Sequence, residues 1–172
     1  MGVSFWADIV SWLANNQLDP ITYVVVFFAY CVAAAVALPL PVELLLAGDP
    51  VVPFPVKALV MGLGKGVGAL AVFYIGVTVE KSVMRYAHWG WFKWLLDHSE
   101  RLVRKYGYYA MFGIMAIPGM VDTIPLYIFS ILNKEGKLMD WRWFVIVNIL
   151  AGITRAVLIY VIDVTFGLGL FT

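Results

Sequence analysis

The sequence predicts an all-α polytopic membrane protein. Its architecture reads as an inverted repeat, each half a re-entrant helical hairpin plus a transmembrane helix, with interfacial amphipathic helices alongside. Three observations predict this. The 172 residues are 63% hydrophobic and 13% charged, against about 45–50% apolar and about 25% charged in a soluble domain. Two apolar runs are each interrupted by prolines beside a carboxylate. The flanking charges are distributed unevenly between the connecting segments.

In chain order, residues 3–14 place Val3, Trp6, Ile9, Val10 and Leu13 at helical spacing. This reads as a short interfacial helix with Trp6 and Trp12 at headgroup level. Residues 21–38 are apolar and uncharged, and then Pro39 and Pro41 halt a helix because each lacks an N–H donor and restricts its predecessor. Glu43 follows within the apolar surroundings. Residues 56–79 form a membrane helix with glycines at 62, 64, 66 and 68 and with Lys65 among them. The paired small-xxx-small spacings allow another helix to approach closely.

Residues 80–106 are basic and Trp-rich. Met84, Trp91, Leu95, Leu102 and Tyr106 share one helical face, and Lys93, Asp97, Glu100, Arg101 and Arg104 share the other. This predicts a helix lying in the interface plane over 81–106, with His88 and His98 as interfacial polar residues. Residues 107–132 repeat the opening theme, an apolar run interrupted by Pro118, Gly119, Asp122 and Pro125. A polar loop over 133–142 precedes a last long helix over 143–165, which carries Arg155.

The two halves, 1–80 and 107–172, therefore share an order within a single membrane domain: a lead-in, a Pro-broken apolar run bearing an acid, a turn, and a helix bearing a base. Glu43 corresponds to Asp122 and Lys65 to Arg155. The flanks 80–106 and 133–142 are rich in Lys and Arg and belong inside. The flanks 1–20 and 48–57 carry Asp8, Asp19, Asp49 and Lys57 and belong outside. Both conditions hold when 21–48 and 107–132 leave and return on their own sides while 56–79 and 143–165 cross. The hairpin tips are then Pro39 and Pro41 in one half, and Pro118, Gly119 and Pro125 in the other. Broken helices facing one another near the midplane are how transporters build polar sites.

The candidate site follows. A carboxylate at membrane depth costs about 2.5–3.5 kcal/mol on insertion scales, so Glu43 and Asp122 are expected to be functional, with Lys65 and Arg155 as their basic partners. Several classes are disfavoured. The net charge of +1 argues against a nucleic-acid partner. One cysteine, Cys31, and two histidines are too few for a metal cluster, and no cofactor is expected. No nucleophile–base constellation suggests an enzyme, so no catalytic residue is assigned. Asp8 interrupts the apolar stretch before Pro20, unlike a cleaved leader, which suits a plasma membrane protein of a prokaryote. The glycine faces are compatible with a homodimer.

Pro39, Pro41 and Glu43 at alternate positions, the glycines spaced by four, and Tyr74 two before Gly76 resemble the first motif block of the DedA family, also called the VTT or SNARE-associated Golgi protein family. Tyr106-Gly107, Pro118-Gly119, Gly136 ahead of Trp143-Phe144, and Gly152 resemble its second block, so the likeness spans residues 20–165. That family carries an arginine three residues before the Pro-Gly and often another just after it. Here Met115 and Met120-Val121 stand there, with Asp122 following. A basic group at this tip would have to come from Arg155 or Lys65.

The resemblance implies transbilayer movement of membrane lipids, either phospholipid scrambling or translocation of a polyprenyl-phosphate carrier, in some members linked to protons. It implies Glu43 as the embedded acid. The alternative that the residues also allow is a proton- or cation-coupled transporter of a small solute.

Overall fold

A computed structural model of the chain describes residues 19–36, 42–46, 51–85, 105–119, 122–132 and 140–167. The helices are α1 (Pro20–Val36), α2 (Glu43–Leu46), α3 (Phe54–Arg85), α4 (Tyr108–Ala116), α5 (Thr123–Leu132) and α6 (Trp141–Phe166), and no strand occurs among the described residues. The expected interfacial helix over 3–14, the prolines Pro39 and Pro41, and residues 86–104 with both histidines lie outside them.

Local chemistry sets the helix ends. Asp19 starts α1: its carboxylate accepts from the Thr22 hydroxyl at 2.6 Å and from the Thr22 N–H at 3.1 Å, with Pro20 at the first helical position, where a missing donor costs nothing. The Thr22 hydroxyl, and then its N–H, hold the Asp19 carboxyl below the usual carboxylate range. This contribution is present at neutral pH and is lost as the pH falls through the lowered folded value, below 3.8. Asp140 caps α6 by accepting from the Arg142 N–H at 2.7 Å. At the other end Gly167 takes φ 62° and returns its N–H to the Asp163 carbonyl, the left-handed cap that favours glycine.

Four sequence boundaries are corrected. Residues 81–85 continue α3 and do not open a separate interfacial helix. Trp141 and Arg142 belong to α6 and not to the polar loop, because Asp140 caps the helix ahead of them. Helix α3 opens at Phe54, ahead of the expected start at 56, so that Pro55 lies in its first turn. Pro125 is not at a hairpin tip; it is the third residue of α5. A proline in the first turn removes an N–H that has no intrahelical partner anyway.

Among the described residues, two helices are long and apolar enough to cross a membrane, over Phe54–Ile75 (22 residues) and Trp141–Phe166 (26 residues). They run antiparallel, since Gly62 meets Ile153 and the Phe54 ring stacks on Tyr160 at 4.5 Å. Helix α1, with 17 residues, is about 25 Å long, short of the ~30 Å hydrocarbon core. It runs parallel to α3, with Tyr23 beneath Lys57, Cys31 against Gly64 and Ala35 against Gly68. The chain has come back between them, because the Tyr23 hydroxyl near the start of α1 donates to the Leu45 carbonyl of α2.

The second half behaves likewise. Tyr108 packs on Trp143 with ring centroids 6.4 Å apart, and Met111 lies against Asn148, so α4 runs alongside the start of α6. Helix α5 runs back, its Ser130 hydroxyl reaching the Val72 and Phe73 carbonyls at 3.1 Å. Tyr23 of α1 and Leu45 of α2 thus meet near the start of α3, while Tyr108 of α4 and Ser130 of α5 lie by Trp143 and Val72, toward the other end of the long-helix pair.

The breaks are joined to each other. Thr123 and Tyr127, one turn apart on α5, donate to the Ala34 and Val36 carbonyls at 2.8 and 3.0 Å. Those are carbonyls at the end of α1 that lack an intrahelical donor. Two apolar clusters form the core. One contains Tyr23, Phe27, Leu46, Met61 and Ile159, and the other Val72, Met111, Met115, Leu126 and Phe144.

The alternate glycines give α3 two close faces within the chain. Gly64 and Gly68 admit α1, where added Cβ atoms would stand 2.6 Å from Cys31 Cβ and 2.5 Å from Ala35 Cβ; Gly62 and Gly66 admit Ile149 and Ile153 of α6. Gly64→Ala is expected to lower stability by about 1–3 kcal/mol through overpacking. Gly113→Ala, on α4 with open space around its Cβ position, is expected to be neutral or to stabilise by up to about 1 kcal/mol. Unfolding of the purified protein in detergent measures both.

Candidate functional site

Lys65 is the twelfth of the 22 residues Phe54–Ile75, and Arg155 is the fifteenth of the 26 residues Trp141–Phe166. Each base therefore stands near the middle of a long helix. Both side chains are wholly buried, and Gly152 on α6 gives the Lys65 stem room, its Cβ position lying 3.0 Å from Lys65 Cδ.

The acids come from the breaks. Glu43 is the first residue of α2. Asp122 immediately precedes α5, and its carbonyl accepts the Leu126 N–H at 3.1 Å, which makes it the N-cap. Both carboxylates thus sit at the start of a helix that follows a break, where the helix dipole favours negative charge.

All four expected charged residues meet in one cluster between the two apolar clusters. Arg155 donates from Nε to Glu43 Oε1 at 2.6 Å, and its Nη2 also pairs with that oxygen. Its Nη1 donates to Asp122 Oδ1 at 2.8 Å. Lys65 Nζ lies 3.0 Å from the same Asp122 oxygen and 3.4 Å from the Met115 carbonyl. The pairing crosses between halves: each base contacts the acid of the other half, and Arg155 also holds the acid of its own half. Two bases and two acids leave the cluster neutral. That balance and the hydrogen bonds offset the several kcal/mol per ion that desolvation costs.

The expected tip residues divide. Gly119 is in the site, donating its N–H to Glu43 Oε1 at 2.8 Å. Its φ of +76° is a conformation that glycine adopts without strain. Pro118 stands beside it in the turn, and Pro125 is inside α5.

Sequence reasoning did not find Gly119 as a ligand of Glu43, nor the Met115 carbonyl beside Lys65. A Pro-Gly pair between apolar helices was the available signal, since the glycine turn frees an N–H. It also placed Lys57 in an outer flank, whereas the side chain is 4% exposed, as is Asp163 near the end of α6. Lys57 lies over the Tyr23 ring at 5.6 Å. Among the described residues no group of three or more His, Cys, Asp or Glu side chains is placed to hold a metal ion.

The arrangement can bind an anion or exchange a proton. It provides buried cations inside an apolar surround, a carboxylate that is partly reachable, and the Gly119 backbone N–H presented by the turn. Comparisons of the chain with protein-family models, with curated proteins and with solved structures found no match.

The two acids should differ in their structural weight. Asp122 is 4% exposed and holds both bases, whereas Glu43 is 17% exposed and holds one. Removing one partner of a buried ion pair costs about 3–5 kcal/mol. Asp122→Asn is expected to lose stability in that range, and Glu43→Gln clearly less, as measured by unfolding of each variant in detergent.

Proposed function

We propose that the protein moves lipid headgroups across a membrane, with a lipid phosphate as the group recognised at the central cluster. The observation that carries this reading is the meeting of Glu43, Lys65, Asp122 and Arg155 between two broken segments that approach from opposite ends of the long helices. A headgroup needs a polar passage while its tail stays in lipid. Arg155 and Lys65 supply positive charge, and broken helices supply backbone donors that suit phosphate. Glu43 and Asp122 hold the bases while no headgroup is present, and release of a base by proton uptake on an acid would link movement to protons.

The reading treats 21–48 and 107–132 as re-entrant hairpins of an inverted repeat, in an integral protein of a prokaryotic plasma membrane. It is supported by the resemblance of the sequence to the DedA family. The arginines that family carries beside its second Pro-Gly are absent here, and Lys65 and Arg155 reach Asp122 in their stead. Polyprenyl phosphate and phospholipid are the candidate cargoes.

In liposomes holding labelled polyprenyl phosphate, Glu43→Gln is expected to slow lipid movement at least about tenfold, roughly the effect of losing one charge-assisted hydrogen bond. Movement at the wild-type rate would remove Glu43 from the mechanism. Topology has its own test. Val51→Cys and Asp140→Cys, at opposite ends of the long helices, should react with a membrane-impermeant thiol reagent from opposite sides. The native Cys31 is buried and should stay silent. Labelling of both from one side would sink the proposed topology.

A further inference from the structure

Three N–H donors, Arg155 Nε, Arg155 Nη2 and the Gly119 backbone, converge on a single oxygen, Glu43 Oε1. The other carboxylate oxygen, Oε2, is buried and has no hydrogen-bond partner among the described residues. A buried acceptor without a donor is unfavourable, so the carboxylate satisfies its surroundings at one oxygen only. Asp122 differs: its Oδ1 takes both bases and its side chain is nearly enclosed. Glu43 is the most exposed of the four charged side chains. Space opens beside it, because Gly119 is exposed and a Cβ there would meet nothing within 4 Å.

We propose that the Arg155 guanidinium edge and the Gly119 N–H form an oxyanion cradle which Glu43 fills as a tethered occupant, and that the oxygen of an incoming phosphate monoester displaces Glu43 from it. This rests on the reading of the cluster as a lipid-phosphate site and assigns unequal roles to its two acids. Asp122 stays with Lys65 and Arg155 throughout. Glu43 leaves when phosphate arrives and reclaims Arg155 when phosphate departs. With Glu43 displaced, the cluster holds two bases against one acid, a net +1 that complements the phosphate. The donor set recognises the phosphate oxygen whether it belongs to a lipid headgroup or to free phosphate.

A tethered competitor acts at an effective concentration set by its linker and not by bulk solution. Removing it therefore tightens binding of the free ligand. The tethered carboxylate also speeds departure, which suits a site whose occupants must leave as well as enter.

The test is equilibrium binding to the full chain in nanodiscs of neutral lipid, with radiolabelled inorganic phosphate and, separately, decyl phosphate. Glu43→Ala is expected to bind at least about tenfold more tightly than wild type, and Glu43→Gln to gain less, since its amide oxygen still fits the cradle. The gain should vanish in the Glu43→Ala, Arg155→Gln double variant. Phosphate should also raise the melting temperature of Glu43→Ala more than that of wild type, which shows that the variant is folded.

A gain for decyl phosphate alone assigns the cradle to a lipid headgroup; a gain for inorganic phosphate assigns it to phosphate from either source. Equal or weaker binding by Glu43→Ala, or a gain that survives loss of Arg155, overturns the proposal. Lipid movement by wild type without a gain in Glu43→Ala removes the tethered occupant and leaves the transport reading standing. A gain for inorganic phosphate in a protein that moves no lipid does the reverse.

Discussion

Arg155 is wholly buried at the middle of α6, and a guanidinium cannot shed its charge to escape that position. Burial of a fixed cation demands carboxylates and hydrogen-bond acceptors within reach, and those must come from other segments of the chain. Glu43 and Asp122 supply them, from breaks 79 residues apart in sequence (122 − 43). Lys65 then adds a second base and restores neutrality. The two broken segments are thus held to the long helices, and to each other, by one charge network that none of its members could enter alone.

The rest of the packing serves that meeting. Glycines on two faces of α3 bring α1 and α6 close enough for the cluster to be enclosed. The C-terminal carbonyls of α1 find donors on Thr123 and Tyr127 of α5. Apolar clusters close the site on both sides. In a low-dielectric surround the ion pairs are strong and an orphaned charge is costly.

The two halves are similar in plan but unequal in detail. Both acids stand at helix starts and both bases at mid-helix, yet Asp122 shares one oxygen between two cations while Glu43 gives one oxygen to three donors. The acid at the first break holds one cation and is the more exposed; the acid at the second holds two and is nearly enclosed.

Much of this was legible in the sequence. Charges in apolar runs are rare and conspicuous, so Glu43, Lys65, Asp122 and Arg155 stood out one by one, and proline and glycine marked the second break at Pro118 and Gly119. Helix type and approximate span followed from apolar length. Boundaries at Pro55 and Pro125 were misjudged because proline breaks a helix interior but is accepted in a first turn, and composition does not say which turn a residue occupies. What only the tertiary structure decided was pairing. That Arg155 bridges both acids, that Lys65 reaches Asp122 of the other half, and that the Gly119 N–H completes the cradle are properties of distance between segments remote in sequence. Spacing along one helix fixes which residues share a face; it carries no information on which faces of other helices they meet, because the close approach of three helices at the glycines of α3 sets that.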